Sequence, residues 1–340
     1  MDRGLDARRA IDAPGGPDGE IAPPAALRLG VVIVSHNPGP FLFTCLERVA
    51  ASTMTRFTLE AVVVDNASAD DTVERLRALP YPWLRVIAHT SNAGFAVASN
   101  IGIRASKADF ILLLNPDTEL QPGTLDTMVA FMEAHPEAAV SSPRLVLPNG
   151  ELDPACHRGF PTPWASLTYM AGLEKLFPGR RLFNGYHRWD EDLNTTHEID
   201  APSGAFMLIR SRVIEEIGAL DERFFMYTED VDFCLRARQA GYRIYYHPAE
   251  TVLHVKGTTT GIKRHTEHLS KASMESRLLC LNAFYDSTKK FYDKHYARAY
   301  PLPLKWAVHG LVEAGRPVAV WRLKRRMRVA GGAASPRASE

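Results

Sequence analysis

Two adjacent acids, Glu229 and Asp230, stand immediately before an amphipathic run that closes at Gly241. This pattern predicts a helix with Thr228 as its cap, both acids in its first turn and a glycine just past its end. Acids are common at helix N-termini because the helix dipole stabilises them, so a structural role is enough to explain them. A functional role for them would require further polar residues that converge on the same place. Polar residues elsewhere in the chain help to decide between these interpretations.

Residues that act together must be positioned by strands and helices. The sequence of the first third of the chain predicts four strands that alternate with helices. The predicted strands are runs of apolar, mostly branched residues at 29–34, 61–64, 84–88 and 110–114. This alternation is typical of a parallel, doubly wound sheet, in which ligands bind beyond the carboxyl ends of the strands. The polar residues at those ends are Ser35, His36, Asn37, Asp65, Asn66, Asn92, Asn115 and Asp117. Each could be turn chemistry alone, but four successive polar strand ends favour a small-molecule pocket.

The glycines do not form a familiar phosphate-binding motif. The turn after the first strand, SHNPG, is not GxGxxG, and no GxxxxGK[ST] occurs anywhere in the chain. A nucleotide would therefore have to be bound in another way.

Composition bounds the class of protein. A chain of 340 residues is long enough for one large α/β domain with an appendage. Forty Lys and Arg against 39 Asp and Glu give a net charge of +1, which gives no reason to propose nucleic acid as a partner. Four widely spaced cysteines, no long apolar stretch and no signal-peptide pattern lead us to expect a reduced, cytoplasmic protein.

Seven segments, in this order, resemble the bacterial glycosyltransferase family 2: VVIVSHN, VVVDNASADDT, SNAGFAVASNIGI, ILLLNPDTEL, SGAFMLIR, LDERFFMYTEDVDFCLRARQAGYRIYYHP and VLHVKG. The chain looks most like the rhamnosyltransferase-like branch that acts in O-antigen and cell-wall polysaccharide assembly. The resemblance covers about residues 29–260. It implies an α/β protein with the GT-A nucleotide-diphospho-sugar transferase fold, which is a Rossmann-like, mostly parallel sheet flanked by helices. A helical extension would follow at the C-terminus.

This resemblance divides the chain into parts. The parts we expect are a disordered leader (1–27), a GT-A domain (28–262), a helical and basic extension (263–328) and a disordered tail (329–340). Within the GT-A domain, 28–120 would form the nucleotide-binding half and 121–262 the acceptor and catalytic half. Prolines and glycines between 148 and 200 predict an irregular segment there.

The resemblance implies an inverting transfer of a sugar from a nucleoside diphosphate to an acceptor hydroxyl. The branch points to L-rhamnose from dTDP-rhamnose, and transfer of another hexose from a UDP-sugar is the alternative. A sugar nucleotidylyltransferase would need a glycine-rich loop after the first strand, which SHNPG does not supply. An inactive binding homologue is a further alternative, against which the presence of Asp117, Asp230 and His254 argues.

Roles for single residues follow from the same resemblance. The family places a divalent cation, Mn²⁺ or Mg²⁺, at the acidic motif after the fourth strand, which implies Asp117 as a ligand. His254 matches the position where several members supply a histidine to that ion. Asp230 would deprotonate the acceptor and Glu229 would orient it, although these two roles could be exchanged.

The donor would lie at the strand ends. The residues implied in donor binding are Ser35, His36, Asn37, Asp65, Asn66, Asn92, Gly94, Asn100, Asn115, Asp117 and Gly204. Because an aspartate can accept from the N3–H of uracil or thymine, Asp65 favours a UDP- or dTDP-sugar. We expect Gly94 to allow close approach to the diphosphate, and Gly204 to pass close behind the reacting sugar.

The remaining expectations concern the acceptor and the surface. Trp189 would stack on an acceptor sugar, unless its segment only packs against the domain. Lys263 and Arg264 belong either to a lid over the diphosphate or to a solvated linker. Apolar residues and five cations around Trp321 are typical of a segment that lies on an anionic membrane surface. Such a position would fit an acceptor carried on a polyprenyl diphosphate. The alternative is a helical cap on the sheet with a solvated basic end.

Overall fold

The computed structural model describes residues 27–257, 261–262, 270 and 272–333. The first part of the chain alternates strands with helices as predicted. Its elements are β1 (Leu27–Ser35), α1 (Phe41–Ala50), β2 (Phe57–Asn66), α2 (Thr72–Arg77), β3 (Leu84–His89), α3 (Phe95–Ala105) and β4 (Phe110–Leu114). β4 is buried along its whole length, and β1 and β2 are buried over most of theirs, as expected for strands covered on both faces. Of the expected leader (1–27), residues 1–26 lie outside the described residues and Leu27 is the first residue of β1.

The second part mixes short strands with helices. Its elements are β5 (Thr118–Glu119), α4 (Thr124–Ala134), β6 (Ala138–Val146), a 3₁₀ turn (Pro154–Cys156), α5 (Pro163–Met170), α6 (Leu173–Leu176), β7 (His197–Glu198), β8 (Phe206–Arg210), α7 (Ser211–Ile217), α8 (Glu229–Gln239), β9 (Arg243–His254), α9 (Met274–His295) and α10 (Leu302–Ala333).

These strands form one sheet in the order β3-β2-β1-β4-β8-β6-β9-β5, with β7 paired to β9. The parallel arrangement predicted for the first four strands is present. β8 then joins β4 in the antiparallel direction, so the whole sheet is mixed. As a result the carboxyl end of β4 meets the amino end of β8, and the backbone N–H of Asn115 donates to the carbonyl of Ala205 over 3.0 Å.

The segment 148–200 is more regular than we predicted, because it contains α5 and α6. Pro163 occupies the first turn of α5, and the side chain of Thr162 accepts from the backbone N–H of Ala165 over 3.2 Å. A proline at this position loses no helical hydrogen bond, so here it starts a helix where we expected it to break one.

The C-terminal region is helical, as predicted. Helix α9 is fixed to the domain by Ser287, whose hydroxyl donates to the carbonyl of Met226, and by His295, whose Nε2 lies 2.6 Å from Asp232 Oδ1. Helix α10 packs on α9 and continues to Ala333, so the predicted tail boundary at residue 329 is too early. Across the described part of the chain, no helix combines the length and the apolarity that crossing a membrane requires.

Candidate active site

The ends of β1 and β2 are joined through Asp65, which is buried. Its Oδ1 accepts from the backbone N–H of Ser68 over 2.9 Å, and its Oδ2 accepts from the Ser68 hydroxyl over 2.5 Å. The hydroxyl of Ser35 lies 3.4 Å from the same Oδ2. A carboxylate has about four lone pairs, so Asp65 retains the capacity to accept from a further donor.

His36, Asn37 and Asn66 extend this network to a third strand end. Nδ1 of His36 donates to the carbonyl of Asn66 over 3.0 Å, since a carbonyl can only accept. The amide of Asn66 donates to Asn92 Oδ1 over 2.9 Å, and Asn37 accepts from the backbone of Ala69 over 2.8 Å. The structure therefore brings the predicted residues at the first three strand ends together at one edge of the sheet.

Two predicted donor-binding residues have other partners. The amide of Asn100 is buried and bonds both the backbone of Leu220 and, over 3.0 Å, Glu222 Oε1, so its hydrogen-bonding groups have partners within the protein. Gly94 has φ +88°, and an added Cβ would lie 2.3 Å from the carbonyl oxygen of Phe225. The close approach that requires glycine there is therefore to the protein's own backbone.

Asp117 and His254 are brought together because β5 pairs with β9. Nε2 of His254 lies 3.4 Å from Asp117 Oδ1, and both side chains are buried. On its other side, Nδ1 of His254 lies 2.8 Å from Oδ2 of Asp153, whose Oδ1 also contacts Nζ of Lys256. Asp153 therefore holds the ring in the orientation that directs Nε2 towards Asp117.

The charges of this group are mutually dependent. Burial alone lowers the pKa of His254, but the carboxylates of Asp117 and Asp153 outweigh burial and raise that pKa to about 9. Burial would raise the pKa of Asp153, but His254 and Lys256 hold that pKa well below its usual range.

The residues fit a divalent cation, which would displace the proton from Nε2 of His254 and take that nitrogen and a carboxylate oxygen of Asp117 as ligands. Within the part of the chain that the structure describes, no three His, Cys, Asp or Glu side chains group closely enough to hold a metal by themselves. An ion between Asp117 and His254 would therefore need oxygen ligands from a bound diphosphate.

Asp230 lies at the start of α8 and is held from several directions. Its Oδ2 accepts from Nη2 of Arg158 over 2.7 Å and from the backbone N–H of Gly204 over 3.3 Å. Its Oδ1 accepts from the backbone N–H of Val231 over 2.8 Å. The guanidinium of Arg158 also donates to the carbonyl of Pro202 over 2.8 Å, so the ion pair is anchored to the backbone.

Glu229, the neighbouring acid, is in a different environment. It is buried, and within the described residues its Oε2 has no hydrogen-bond partner. Burial, with the negative charge of Asp230 beside it, raises the pKa of Glu229 to about 8. Glu229 therefore carries a proton at neutral pH. Asp230 differs from it in having the guanidinium of Arg158 as an ion-pair partner.

Thr228 is the N-cap residue of α8, as predicted, but its side chain does not cap the helix. Thr228 has φ +64°, and its buried hydroxyl makes no hydrogen bond within the described residues. The backbone carbonyl of Thr228 still accepts from the N–H of Asp232 over 2.8 Å.

Asp230, at the start of α8, is linked by hydrogen bonds to the same end of the sheet as the Asp117–His254 pair. Asn115, two residues before Asp117, bonds Ala205, and the adjacent Gly204 bonds Asp230. An added Cβ at Gly204 would lie 3.3 Å from the ring of Phe95, so protein packing already restricts this position. The candidate base and the candidate metal ligands thus share one edge of the sheet.

Trp189 is exposed and lies beside His187, with ring centroids 5.7 Å apart. Its segment is tied to the site, because the carbonyl of Tyr186 accepts from the backbone N–H of Gly159 over 2.7 Å. Lys263 and Arg264 lie outside the described residues.

Sequence reasoning missed Asp153, Arg158 and Lys256. Asp153 precedes a proline and accepts from the backbone N–H of Ala155 over 3.0 Å, which is ordinary turn chemistry. No local pattern distinguishes it from a purely structural acid, and Arg158 has no helical or strand periodicity around it.

The fold and the edge described above define a class of protein, a glycosyltransferase with the GT-A fold. The chain belongs to Glycosyl transferase family 2, whose profile matches residues 30–218.

Relatives and solved structures agree with this assignment. The chain is 27% identical over 293 residues to N-acetylglucosaminyl-diphospho-decaprenol L-rhamnosyltransferase of Mycobacterium tuberculosis, covering 83% of this chain and 89% of that protein. It is 27% identical over 233 residues to rhamnosyltransferase WbbL of Escherichia coli, covering 66% of this chain and 82% of that protein. The mannosyltransferase PcManGT from Pyrobaculum calidifontis, solved with GDP-Man and Mn²⁺, shares the fold with a TM-score of 0.52 at 18% identity, covering 91% of this chain and 76% of that one.

Proposed function

We propose that this glycosyltransferase moves L-rhamnose from dTDP-rhamnose to a hydroxyl of a glycan or lipid-linked acceptor, with inversion at the anomeric carbon. The acceptor would belong to cell-surface polysaccharide synthesis. Support comes from the two relatives that are named as rhamnosyltransferases. Transfer of another hexose from a UDP-sugar is the second candidate, since Asp65 could accept from uracil as well as from thymine.

The observation that carries the proposal is the juxtaposition of Asp230 with the Asp117–His254 pair at one sheet edge. Asp230 would take the acceptor proton as the new bond to the sugar forms. Arg158 keeps the carboxylate in one orientation, and Glu229, protonated at neutral pH, would donate a hydrogen bond to the acceptor.

Asp117 and His254 would hold Mn²⁺ or Mg²⁺, with Asp153 fixing the imidazole. When bound, that ion would neutralise the charge that develops on the leaving diphosphate. The strand-end network of Ser35, His36, Asn37, Asn66 and Asn92 would hold the nucleoside, with Asp65 accepting from its base.

The acceptor would meet the protein at Trp189 and at the membrane surface. Trp189 would stack on an acceptor sugar ring, and a polyprenyl diphosphate would carry that sugar. We place the enzyme in the cytoplasm, peripherally on the inner membrane face through the basic end of α10. The exposed cations there are Arg322, Lys324, Arg325 and Arg328.

A panel of dTDP-rhamnose, UDP-glucose, UDP-N-acetylglucosamine and GDP-mannose tests the donor. With Mn²⁺ present, we expect dTDP-rhamnose to raise the melting temperature most and to release dTDP when an acceptor is added. A larger response to a UDP-sugar would favour the second candidate. Formation of a nucleotide-sugar from a sugar phosphate, or binding without turnover, would reject both.

A further inference from the structure

Residues 163–182, here called the outer hairpin, consist of α5, α6 and the turn that follows, and their hydrophobic pattern is inverted. The exposed apolar side chains are Trp164, Leu167, Tyr169, Met170, Leu176, Phe177 and Leu182. Met170, Leu176 and Leu182 expose 67%, 70% and 64% of their surface. An apolar surface of this extent, rimmed by polar residues, is typical of an interaction site.

The acid of the outer hairpin is buried instead. Glu174 accepts from Nδ1 of His187 over 2.9 Å, and only 5% of its surface is exposed. On a helix that faces water, the charged residue lies outside and the leucines lie inside. The outer hairpin reverses this order, which indicates that its outer face meets a phase other than water.

The outward direction of the apolar face is fixed by the helix itself. Trp164, Leu167 and Met170 follow one another at intervals of three residues and share one face of α5. Ala165 and Thr168, which lie between these positions in the sequence, are buried. The indole N–H of Trp164 donates to the carbonyl of Leu182 over 2.8 Å, so the two ends of the outer hairpin are tied together.

Charge identifies the partner. Lys175, Arg180 and Arg181 are exposed beside Leu176, Phe177 and Leu182. Glu174 is the only acid among residues 163–182 and it is buried, so the exposed charges of the outer hairpin itself are all positive. Bulky apolar side chains next to Lys and Arg suit the headgroup region of an anionic bilayer, where the rings enter the interface and the cations meet lipid phosphates. We propose that the outer hairpin docks this protein onto an anionic lipid bilayer.

The position of the outer hairpin relative to the site is consistent with docking. The chain leaves it through Tyr186, which bonds the backbone of Gly159, and the adjacent Arg158 holds Asp230. Docking would therefore place the candidate base near the membrane surface, where a lipid-carried hydroxyl lies. This last step rests on the proposed function, whereas docking itself does not.

Cosedimentation of the full chain with vesicles tests the proposal, using phosphatidylcholine alone and phosphatidylcholine mixed with phosphatidylglycerol. One variant removes apolar surface by Met170→Ser, Leu176→Ser and Phe177→Ser. A second removes charge by Lys175→Gln, Arg180→Gln and Arg181→Gln. We expect the wild type to bind the mixed vesicles, and each variant to bind them at least about tenfold more weakly.

Matched controls remove the same kinds of side chain elsewhere. The charge control is Arg77→Gln, Arg85→Gln and Lys107→Gln, all exposed, and the apolar control is Leu279→Ser on α9. Both should bind vesicles like the wild type. Neutralising Arg322, Lys324 and Arg325 measures the separate contribution of α10.

Two results would overturn the proposal. One is wild-type vesicle binding by both outer-hairpin variants, which would assign any binding to α10. The other is a wild type that does not bind vesicles but self-associates, while the outer-hairpin variants stay monomeric. That result would show that the surface is an interface between copies of this chain. Because vesicle binding is measured without donor, failure of rhamnose transfer leaves the docking result unaffected. Transfer to a water-soluble acceptor should be unchanged in both outer-hairpin variants.

Discussion

Nη2 of Arg158 lies 2.7 Å from Oδ2 of Asp230, and the two side chains are largely withdrawn from solvent. The same nitrogen reaches the carbonyl of Pro202, so the guanidinium links the carboxylate to the backbone that enters β8. The negative charge of Asp230 raises the pKa of Arg158 against the effect of burial, and the arginine stays charged at any pH of interest. This relationship assigns Arg158 as the residue that positions the candidate base.

Replacing Arg158 tests that assignment. Arg158→Met leaves Asp230 buried without its partner, so we expect the free energy of unfolding to fall by about 3–5 kcal/mol. Without its anchor the carboxylate would lose its orientation, and we expect kcat to fall by about 100-fold or more while donor KM changes little. Steady-state kinetics and denaturant unfolding measure the two effects.

Arg158→Lys provides the conservative control for this experiment. It keeps the charge but cannot reproduce the planar guanidinium geometry, so intermediate activity is expected. Wild-type kcat in a folded Arg158→Met protein would show that Asp230 needs no positioning.

The roles of the two acids can be separated by isosteric amides. Asp230→Asn removes the proton acceptor, and we expect kcat to fall by about 10²–10⁴-fold with donor affinity retained. Glu229→Gln keeps a hydrogen-bond donor, as the protonated acid does at neutral pH, so a loss of less than about tenfold is expected. Kinetics with saturating donor, together with donor titration by calorimetry, measure both. The opposite ranking of the two variants would exchange their roles.

The first four strands and their polar ends were predictable, because branched apolar runs and turn residues such as Asp65-Asn66 are local signals. The insertion of β8 beside β4 was not, since antiparallel pairing there depends on the path of the whole second half. The same holds for side-chain partners: Asp153 lies 101 residues from His254, and Arg158 lies 72 residues from Asp230. Pro163 shows a different limit, because one proline can end or begin a helix, and its neighbours decide which.

Asp153 should control cation affinity without touching the cation. Asp153→Asn weakens the hold on Nδ1 of His254, and loss of such an outer partner typically weakens metal binding by about 10–100-fold. Calorimetric titration of Mn²⁺ in the presence of dTDP measures the affinity independently of turnover. Glu151→Gln, an exposed change two residues away, is the matched control. Equal affinities for the two variants would remove Asp153 from the candidate site.

Gly94 should be required for folding independently of any ligand. Gly94→Ala combines φ +88° with a Cβ only 2.3 Å from the carbonyl oxygen of Phe225, which the hydrogen bond to Phe95 fixes in place. We expect a loss of stability of about 3 kcal/mol or more.

Gly39→Ala is the control, since Gly39 has φ +60° but nothing within 4 Å of its added Cβ. It should cost about 1–2 kcal/mol from backbone strain alone. Similar melting temperatures for the two variants would show that the contact with Phe225 relaxes freely.

Glu229 should make the folded state less stable as pH rises. Its pKa is raised from the ordinary 4.5 to about 8 by burial and by Asp230, so between these values the folded chain holds a proton that the unfolded chain has released. The free energy of unfolding therefore falls with increasing pH across this window, by at most about 1.4 kcal/mol per pH unit from this group. Below pH 4.5 both states are protonated and the effect vanishes.

Glu229→Gln removes the titrating group, so its stability should decline less than that of the wild type between pH 5 and 8. Urea unfolding across that range measures the difference, with the exposed Glu215→Gln as control. Parallel curves for wild type and Glu229→Gln would mean that Glu229 is ionised in the folded protein, and its role as a hydrogen-bond donor to the acceptor would then fail.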